Sequence, residues 1–229
     1  MRHYFYLILS LAITASCSFN AATKGNIPQA QRKYLALGDS YTAGERIEAS
    51  QRYPQLLVNA LNNNGSHFSD PVVIAQAGWT TYDLQQAIDR HKPKENTYDL
   101  VSLLIGVNNE FQGRSVEEFE MQFRNLVRSA IAFAAGDQHK VIVLSIPDYG
   151  YTPYGEKDQP GISQRIDLFN KKIRQISATE GVHYFDITGI SRKGLQDKAL
   201  IAKDGLHPSG KMYQLFVDEI LEQVLQFAR

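Results

Sequence analysis

Short apolar runs alternate with amphipathic segments along the chain from Lys33 onward. Five of these runs are rich in aliphatic residues and predict β-strands: KYLALG (33–38), PVVIAQ (71–76), DLVSLLIG (99–106), KVIVLSIP (140–147) and HYFDI (183–187). The runs are nearly continuous in apolar residues instead of alternating, which is typical of strands that are covered on both faces of a sheet.

Between the predicted strands, apolar residues recur at helical spacing. This pattern predicts four helices, over residues 80–92, 115–136, 166–181 and 209–229. Ser115 and Glu118 have the spacing of a capping box, and Thr80 and Asp83 make a similar start. Strands that alternate with helices in one domain predict a three-layer α/β/α sandwich around a five-stranded parallel sheet, with right-handed crossovers.

The composition adds little to this interpretation but excludes some classes of partner. The chain has 229 residues, which suit one domain with a large core. Its 24 basic and 24 acidic residues give no net charge, so nothing indicates nucleic acid or electrostatic attraction to a membrane. We expect a monomer.

The N-terminus differs from the rest of the chain. Arg2 and His3 precede the apolar run YFYLILSLAITA, and Cys17, the only cysteine, follows it. A positive start before about a dozen apolar residues predicts a secretory signal over 1–16, shorter than the ~20 residues of a membrane-spanning helix. A buried core helix is the alternative. Residues 17–31 are then a flexible tether to a domain over 32–229.

The segment TASC around Cys17 resembles the lipobox of bacterial lipoproteins, in which lipid is attached to the cysteine after cleavage. Thr14 stands where that motif usually has leucine, so an ordinary signal cut a few residues later is the alternative. The resemblance implies an exported protein that is lipid-anchored at Cys17 in the bacterial cell envelope. Without lipidation it is secreted.

Polar residues and glycines follow most of the predicted strands. Because ligand sites in parallel sheets collect at the carboxyl ends of the strands, we expect these residues to lie close together. They are, in chain order, Gly38, Asp39, Ser40, Gly78, Gly106, Asn108 and Asn109, joined by Asp204 and His207 in the loop before the last helix.

Three of these side chains suit nucleophilic catalysis. A serine such as Ser40 attacks a carbonyl group only when a base takes its proton and a third group orients that base. His207 is the expected base near neutral pH, and Asp204 can accept its other ring N–H. The backbone N–H groups of Ser40 and Gly78 and the amide of Asn108 are candidate donors for an oxyanion hole.

Each of these signals also has a purely structural interpretation. Gly-Asp-Ser describes a strand end followed by a helix cap, and Asp-x-x-His describes a turn followed by a helix start. Gly78 and Asn108 are common turn residues. Their joint occurrence at strand ends nevertheless favours a catalytic site.

Four blocks of the sequence resemble those of the SGNH (GDSL) hydrolase family in residue type, order and spacing: Gly38-Asp39-Ser40, Gly78, Gly106-x-Asn108 and Asp204-x-x-His207. The resemblance implies a flavodoxin-like fold and a serine esterase or lipase that needs no metal or cofactor. It assigns the nucleophile to Ser40, the base to His207 and the orienting acid to Asp204. It assigns the oxyanion hole to Ser40, Gly78 and Asn108.

The third block departs from the family pattern at one position. That block usually reads Gly-x-Asn-Asp, and Asn109 replaces the aspartate here. The family residue supports the loop and is not one of its four catalytic positions. We therefore expect altered hydrogen bonds in the loop and retained activity.

Four further residues are candidates for substrate binding: Asp39, Trp79, Tyr149 and Tyr151. Trp79 follows Gly78 and either lines the pocket or serves as a surface anchor. The tyrosines lie in DYGYTPYG, whose glycine, proline and aromatic residues suit a binding loop or an inert ordered one.

The sequence is compatible with more than one use of such a site. The main hypothesis is hydrolysis of an ester of a lipid, an acylated sugar or a polysaccharide. An acyltransferase would use the same acyl-enzyme, and a surface lipoprotein would bind glycans with an idle site. A metal-dependent phosphoesterase would need clustered His and Asp ligands, and only one histidine lies at the expected face.

Overall fold

A sheet of five parallel strands forms the centre of the structure. The computed structural model of the protein describes Met1 and residues 31–91 and 97–228. The strands are β1 (Tyr34–Gly38), β2 (Val72–Ala75), β3 (Leu100–Leu104), β4 (Val141–Leu144) and β5 (His183–Phe185). Each strand lies within one of the five apolar runs, so the predicted strands are confirmed. The predicted signal and tether, with Cys17, lie outside the described residues apart from Met1 and residue 31.

The order of the strands places a crevice beside β1. The order is β2-β1-β3-β4-β5, and every neighbouring pair is parallel. After β2 the chain crosses to the other side of β1 to form β3, and Gly38 at the end of β1 pairs with Leu104 at the end of β3. Such a reversal of strand order is where ligands bind in open α/β sheets. The predicted flavodoxin-like α/β sandwich is confirmed.

Helices cover the sheet in two layers. Within the described residues the α-helices are α1 (Ser40–Ala43), α2 (Tyr53–Asn63), α3 (Thr81–His91), α4 (Val107–Phe111), α5 (Val116–Phe133), α6 (Gln159–Glu180), α7 (Thr188–Ser191) and α8 (Gly210–Val224). Single 3₁₀ turns lie at Ala49–Gln51, Gln138–Lys140, Tyr149–Tyr151, Glu156–Asp158 and Lys198–Leu200. Helix α2 packs against α8, and α5 packs against α3 and α6.

The four predicted helices are present as α3, α5, α6 and α8. Ser115 Oγ accepts the backbone N–H of Glu118 (3.1 Å), as the capping box requires. The Asp83 carboxylate likewise accepts the backbone N–H of Thr80 (2.9 Å) at the start of α3. Gly181 ends α6 in the left-handed conformation at φ 74°, which glycine adopts without a steric cost. Helix α6 begins seven residues before the predicted start, and the buried Ile162 extends the apolar stripe of Ile166 by one turn towards the N-terminus.

Helix α2 has no counterpart among the predicted helices. Its apolar stripe is nevertheless visible in the sequence, since Tyr53, Leu57 and Leu61 recur four residues apart and are fully buried. Pro54 in the first turn is a further start signal. The hydroxyl groups of Tyr53 and Ser102 lie 2.9 Å apart in a hydrogen bond that joins α2 to β3.

The expectation that all five strands are covered on both faces is wrong for β2. Val72 and Val73 are 46% and 37% exposed, whereas all residues of β1 and β3 are buried. Strand β2 is at the edge of the sheet, where a strand has a neighbour on one side only. Continuous apolar character in the sequence does not distinguish such an edge strand from a central one.

Candidate active site

The turn after β1 presents Ser40 at the start of α1. The residue that caps this helix is Asp39, whose carboxylate accepts the backbone N–H of Tyr41 (3.0 Å). Ser40 is therefore not needed as the cap, and its hydroxyl has no hydrogen bond within the described part of the chain. A side chain at Gly38 would overlap Thr42 and the carbonyl oxygen of Leu104, so the close approach of α1 to β3 requires glycine there.

Burial of the Asp39 carboxyl changes its ionisation. The residue is fully buried, and one carboxylate oxygen, Oδ2, has no hydrogen-bond partner. Loss of solvation raises the pKa of Asp39 to about 7, although the backbone N–H groups of Tyr41 and Gly106 oppose the rise. Asp39 stabilises the turn through its hydrogen bond with Tyr41, and it does not line the cavity beside Ser40 that is described below.

Asp204 and His207 form a pair within one tight loop. His207 Nδ1 lies 2.7 Å from Asp204 Oδ2, and the other carboxylate oxygen accepts the backbone N–H groups of Leu206 and His207, both at 3.0 Å. Burial raises the pKa of Asp204, but these hydrogen bonds outweigh it and hold the pKa below its ordinary value. An ionised carboxylate in this position orients the imidazole and favours the tautomer with hydrogen on Nδ1.

A cavity of about 90 Å³ brings the candidate residues together. Ser40, Asn108 and His207 all line it, although they come from three distant parts of the chain. No direct hydrogen bond joins Ser40 to His207 among the described residues, which is common for catalytic pairs without substrate. The Tyr41 ring meets the His207 ring edge-on at a centroid distance of 6.0 Å. The other lining residues are Tyr41, Val107, Phe111, Tyr149, Tyr154 and Leu206.

The second and third blocks meet through one hydrogen bond. Asn108 Nδ2 donates to the carbonyl oxygen of Trp79 (2.9 Å), which fixes the amide and leaves its second N–H unused by that bond. Gly78 precedes Trp79 with φ at +84°, a conformation that favours glycine. Gly78 is exposed and does not line the cavity in this structure. Its assignment to the oxyanion hole stays a prediction.

Asn109, which stands in place of the family aspartate, is buried and forms hydrogen bonds through both its amide oxygen and its amide nitrogen. Its oxygen accepts the backbone N–H of Thr81 (3.0 Å), and its Nδ2 donates to Thr81 Oγ1 (2.7 Å). Thr81 in turn donates to Gln122 Oε1 (2.5 Å). An ionised aspartate at this position could only accept hydrogen bonds. The bond from Asn109 Nδ2 to Thr81 Oγ1 would then have to run in the opposite direction, from Thr81 to the carboxylate.

The four predicted substrate-binding residues have different positions. Of Asp39, Trp79, Tyr149 and Tyr151, only Tyr149 lines the cavity. Trp79 packs against the core, and Tyr151 is half-buried outside the cavity. Tyr154, three residues after Tyr151, lines it instead. Further lining residues were not predicted from the sequence, although each stands within three positions of a catalytic candidate: Tyr41, Val107, Phe111 and Leu206.

Two sets of contacts hold the loops around the cavity. The backbone N–H of Tyr154 donates to the carbonyl oxygen of Gly205 (3.0 Å). This bond ties residues 148–155, the tyrosine loop, to the loop of His207. The fully buried carboxylate of Asp148 accepts Ser163 Oγ (2.7 Å) and Arg192 Nε (2.9 Å). Buried charge that is paired and hydrogen-bonded in this way keeps the tyrosine loop in one conformation.

Residues 31–91 and 97–228 contain no group of three or more His, Cys, Asp or Glu side chains that could hold a metal ion. Within the same ranges no helix has both the length and the apolar character to cross a bilayer.

The fold and the cavity together define a class of protein. A serine at the switch point of a parallel sheet, with a His–Asp pair opposite and an amide donor beside it, is an arrangement for acyl transfer. Residues 36–215 match the GDSL-like lipase/acylhydrolase family, so the chain belongs to that family. The arylesterase of Vibrio mimicus is 36% identical over 91 residues. That match covers 37% of this chain and 42% of the arylesterase, less than half of its length.

Solved structures of low sequence identity share the fold. TesA is 19% identical with a TM-score of 0.67, and the match covers 84% of this chain and 98% of TesA. The lipase/acylhydrolase from Enterococcus faecalis is 21% identical at TM-score 0.66, covering 86% and 96% of the two chains. A mutant of Axe2, an acetyl-xylooligosaccharide esterase from Geobacillus Stearmophilus, is 21% identical at TM-score 0.67, covering 84% and 94%.

Proposed function

We propose that the protein is a serine hydrolase that cleaves carboxylic esters through an acyl-enzyme on Ser40. The observation that carries the proposal is the one cavity lined by Ser40, Asn108 and His207, with Asp204 bonded to the far side of the imidazole. Membership of the GDSL-like family and the similarity to an arylesterase support esters as the substrate class.

In the proposed acylation step, His207 Nε2 takes the proton of Ser40 Oγ as this oxygen attacks the ester carbonyl carbon. The Asp204 carboxylate stabilises the imidazolium that forms. Negative charge on the carbonyl oxygen is met by the N–H groups of Ser40 and Gly78 and by the second N–H of Asn108. The C–O bond to the alcohol then breaks, and His207 donates its proton to the leaving oxygen.

Deacylation repeats the sequence with water. His207 removes a proton from a water molecule, whose oxygen attacks the acyl carbon on Ser40. The second tetrahedral intermediate collapses, the carboxylic acid leaves, and Ser40 Oγ regains its proton from His207. An alcohol in place of water would give transfer of the acyl group.

Activity-based labelling tests this proposal. A fluorophosphonate should label the wild-type protein and fail to label Ser40→Ala, and His207→Ala should lose about 10² to 10⁴ of turnover on an aryl ester. His139→Ala is the matched control, because His139 is exposed and does not line the cavity. Equal labelling of wild type and Ser40→Ala, in samples with the same circular dichroism, would contradict it.

For the physiological ester, we propose an acyl group on a lipid, an acylated sugar or a polysaccharide. Membership of the GDSL-like lipase/acylhydrolase family supports a lipid ester, and the name of one similar structure, an acetyl-xylooligosaccharide esterase, supports an acylated sugar or polysaccharide. Rates on a chain-length series of esters would show whether short or long acyl groups are preferred. The same assays with glycerol or sugar as acceptor would reveal transfer by the appearance of a new ester.

We also propose that the chain is exported and lipid-anchored through Cys17. The apolar run after Arg2 and the segment TASC support this proposal. Mass spectrometry of the mature N-terminus should find lipid on Cys17 as the first residue. An unmodified N-terminus at a later residue would indicate an ordinary secretory signal instead.

A further inference from the structure

A second and larger cleft opens beside the catalytic cavity. It has a volume of about 530 Å³, against about 90 Å³ for the cavity at Ser40. Phe111, Tyr149 and Tyr154 line both spaces and form the wall between them. A molecule whose ester group reaches Ser40 therefore has most of its available room in this cleft, on the far side of the aromatic wall.

Two rings of this wall are unusually exposed. Phe111 and Tyr154 are 57% and 56% exposed, and their ring centroids lie 6.3 Å apart. The Phe111 ring also meets the Tyr149 ring edge-on at 6.1 Å. Neighbouring exposed apolar groups of this kind mark ligand-binding grooves. Their flat faces suit a ligand with an apolar face of similar size.

The residues that line the cleft include charged groups whose charges balance. Arg165 Nε bonds to the nearly inaccessible carboxylate of Glu110 (2.5 Å), and its Nη2 bonds to Asp158 (3.2 Å). The guanidinium is thereby held in place while its side chain remains 48% exposed. Lys157 also lines the cleft, so the four charged side chains comprise two cations and two anions. A strongly charged ligand such as a phosphate has no electrostatic advantage here.

We propose that this cleft binds the alcohol part of the ester, and that this part is an uncharged sugar or similar polyol. A pyranose ring has an apolar C–H face that can stack on Phe111 and Tyr154, and hydroxyl groups at its edge that can bond to Arg165, Asp158 and Lys157. A hydrocarbon chain would desolvate those charged groups without offering hydrogen bonds in return. The small cavity at Ser40 then holds a short acyl group.

This inference rests on the proposed ester hydrolysis, and the test separates the two. The wild-type protein is assayed on acetylated xylobiose, hexyl acetate and 4-nitrophenyl acetate, which share the acyl group and differ in the alcohol. The readout is the ratio of kcat/KM for acetylated xylobiose to kcat/KM for 4-nitrophenyl acetate. We expect the wild type to prefer acetylated xylobiose over hexyl acetate.

Substitutions in the cleft should reduce this ratio. Tyr154→Ala and Arg165→Met are each expected to lower it about tenfold, as loss of a stacking ring or of a charged hydrogen-bond donor does. Lys157→Met should also lower the ratio. This variant is included because Arg165→Met leaves the buried Glu110 carboxylate without its cation and can prevent folding. Circular dichroism and the urea midpoint of each variant establish that it is folded.

Matched substitutions elsewhere serve as controls. Tyr82→Ala removes a tyrosine of 57% exposure on α3, and Arg174→Met removes an ion-paired arginine on α6 that does not line the cleft. Both should leave the ratio within twofold of wild type. If the wild type does not hydrolyse 4-nitrophenyl acetate, the proposed function itself is wrong. If it does, but prefers hexyl acetate or keeps its ratio in Tyr154→Ala and Lys157→Met, the sugar cleft is wrong and ester hydrolysis stands.

Discussion

The buried carboxyl of Asp39 should make the stability of the fold depend on pH in an unusual direction. In the unfolded chain this group has its ordinary pKa of 3.8, and burial raises the pKa to about 7 in the folded protein. Between these values the folded state keeps a proton that the unfolded state has lost. The stability associated with the neutral carboxyl is fully present below the unfolded pKa and declines as the pH rises towards about 7.

The size of the effect follows from the two pKa values. Each unit of difference corresponds to about 1.4 kcal/mol, so the free energy of unfolding should decline by about 4 kcal/mol across this range. Asp39→Asn removes the titration and nearly preserves the shape of the side chain. Its amide oxygen can still accept the backbone N–H of Tyr41, and its amide nitrogen takes the place of Oδ2, which has no partner.

Urea denaturation of wild type and Asp39→Asn at several values between about pH 4 and pH 8 provides the measurement. The difference between the two proteins is the informative quantity, because it cancels the titration of all other groups. We expect wild type to lose about 4 kcal/mol relative to the variant as the pH rises. A difference that does not change with pH would refute the argument from burial.

Asp197 supplies a control of the opposite sign. The hydrogen bond from Lys211 holds the pKa of Asp197 below its ordinary value. The stability that this depression provides is present above the unfolded pKa and is lost as the pH falls. The difference in the free energy of unfolding between wild type and Asp197→Asn should therefore shrink as the pH falls. The loss of stability caused by Asp39, in contrast, occurs as the pH rises.

Three further predictions concern catalysis and packing. Asp204→Asn should lower kcat on 4-nitrophenyl acetate by about 10² to 10⁴, because an amide favours the wrong imidazole tautomer, and an unchanged kcat would exclude the proposed triad. Gly38→Ala should destabilise the protein by roughly 1–3 kcal/mol or more in thermal unfolding, because the added Cβ would overlap neighbouring atoms. Gly189→Ala is the control and should cost less than about 1 kcal/mol, because a Cβ added there would meet no atom within 4 Å. Asn109→Asp should destabilise by roughly 1–3 kcal/mol in urea, because it reverses the bond to Thr81 and buries a carboxylate; a midpoint equal to that of wild type would show that the chain of bonds readjusts.

Much of this fold follows from short stretches of sequence. The five strands are apolar runs, and the capping residues Ser115 and Asp83 form the hydrogen bonds that their spacing predicts. The same local rules indicate Asp204 and His207 as a pair, because three residues of one loop are enough to bring the carboxylate to the ring. Interactions between residues close in sequence need little information from the rest of the chain.

Other features depend on how distant elements come together. The order of strands puts Ser40 and Asn108 at neighbouring strand ends, and the loop geometry turns Tyr154 rather than Tyr151 towards the cavity. The exposure of Val72 likewise depends on the position of β2 at the sheet edge. Periodicity and spacing report which local structure a segment prefers. The packing of the whole core determines which segments become neighbours. This packing depends on contacts between residues that are distant in sequence, and these contacts cannot be inferred from one segment alone.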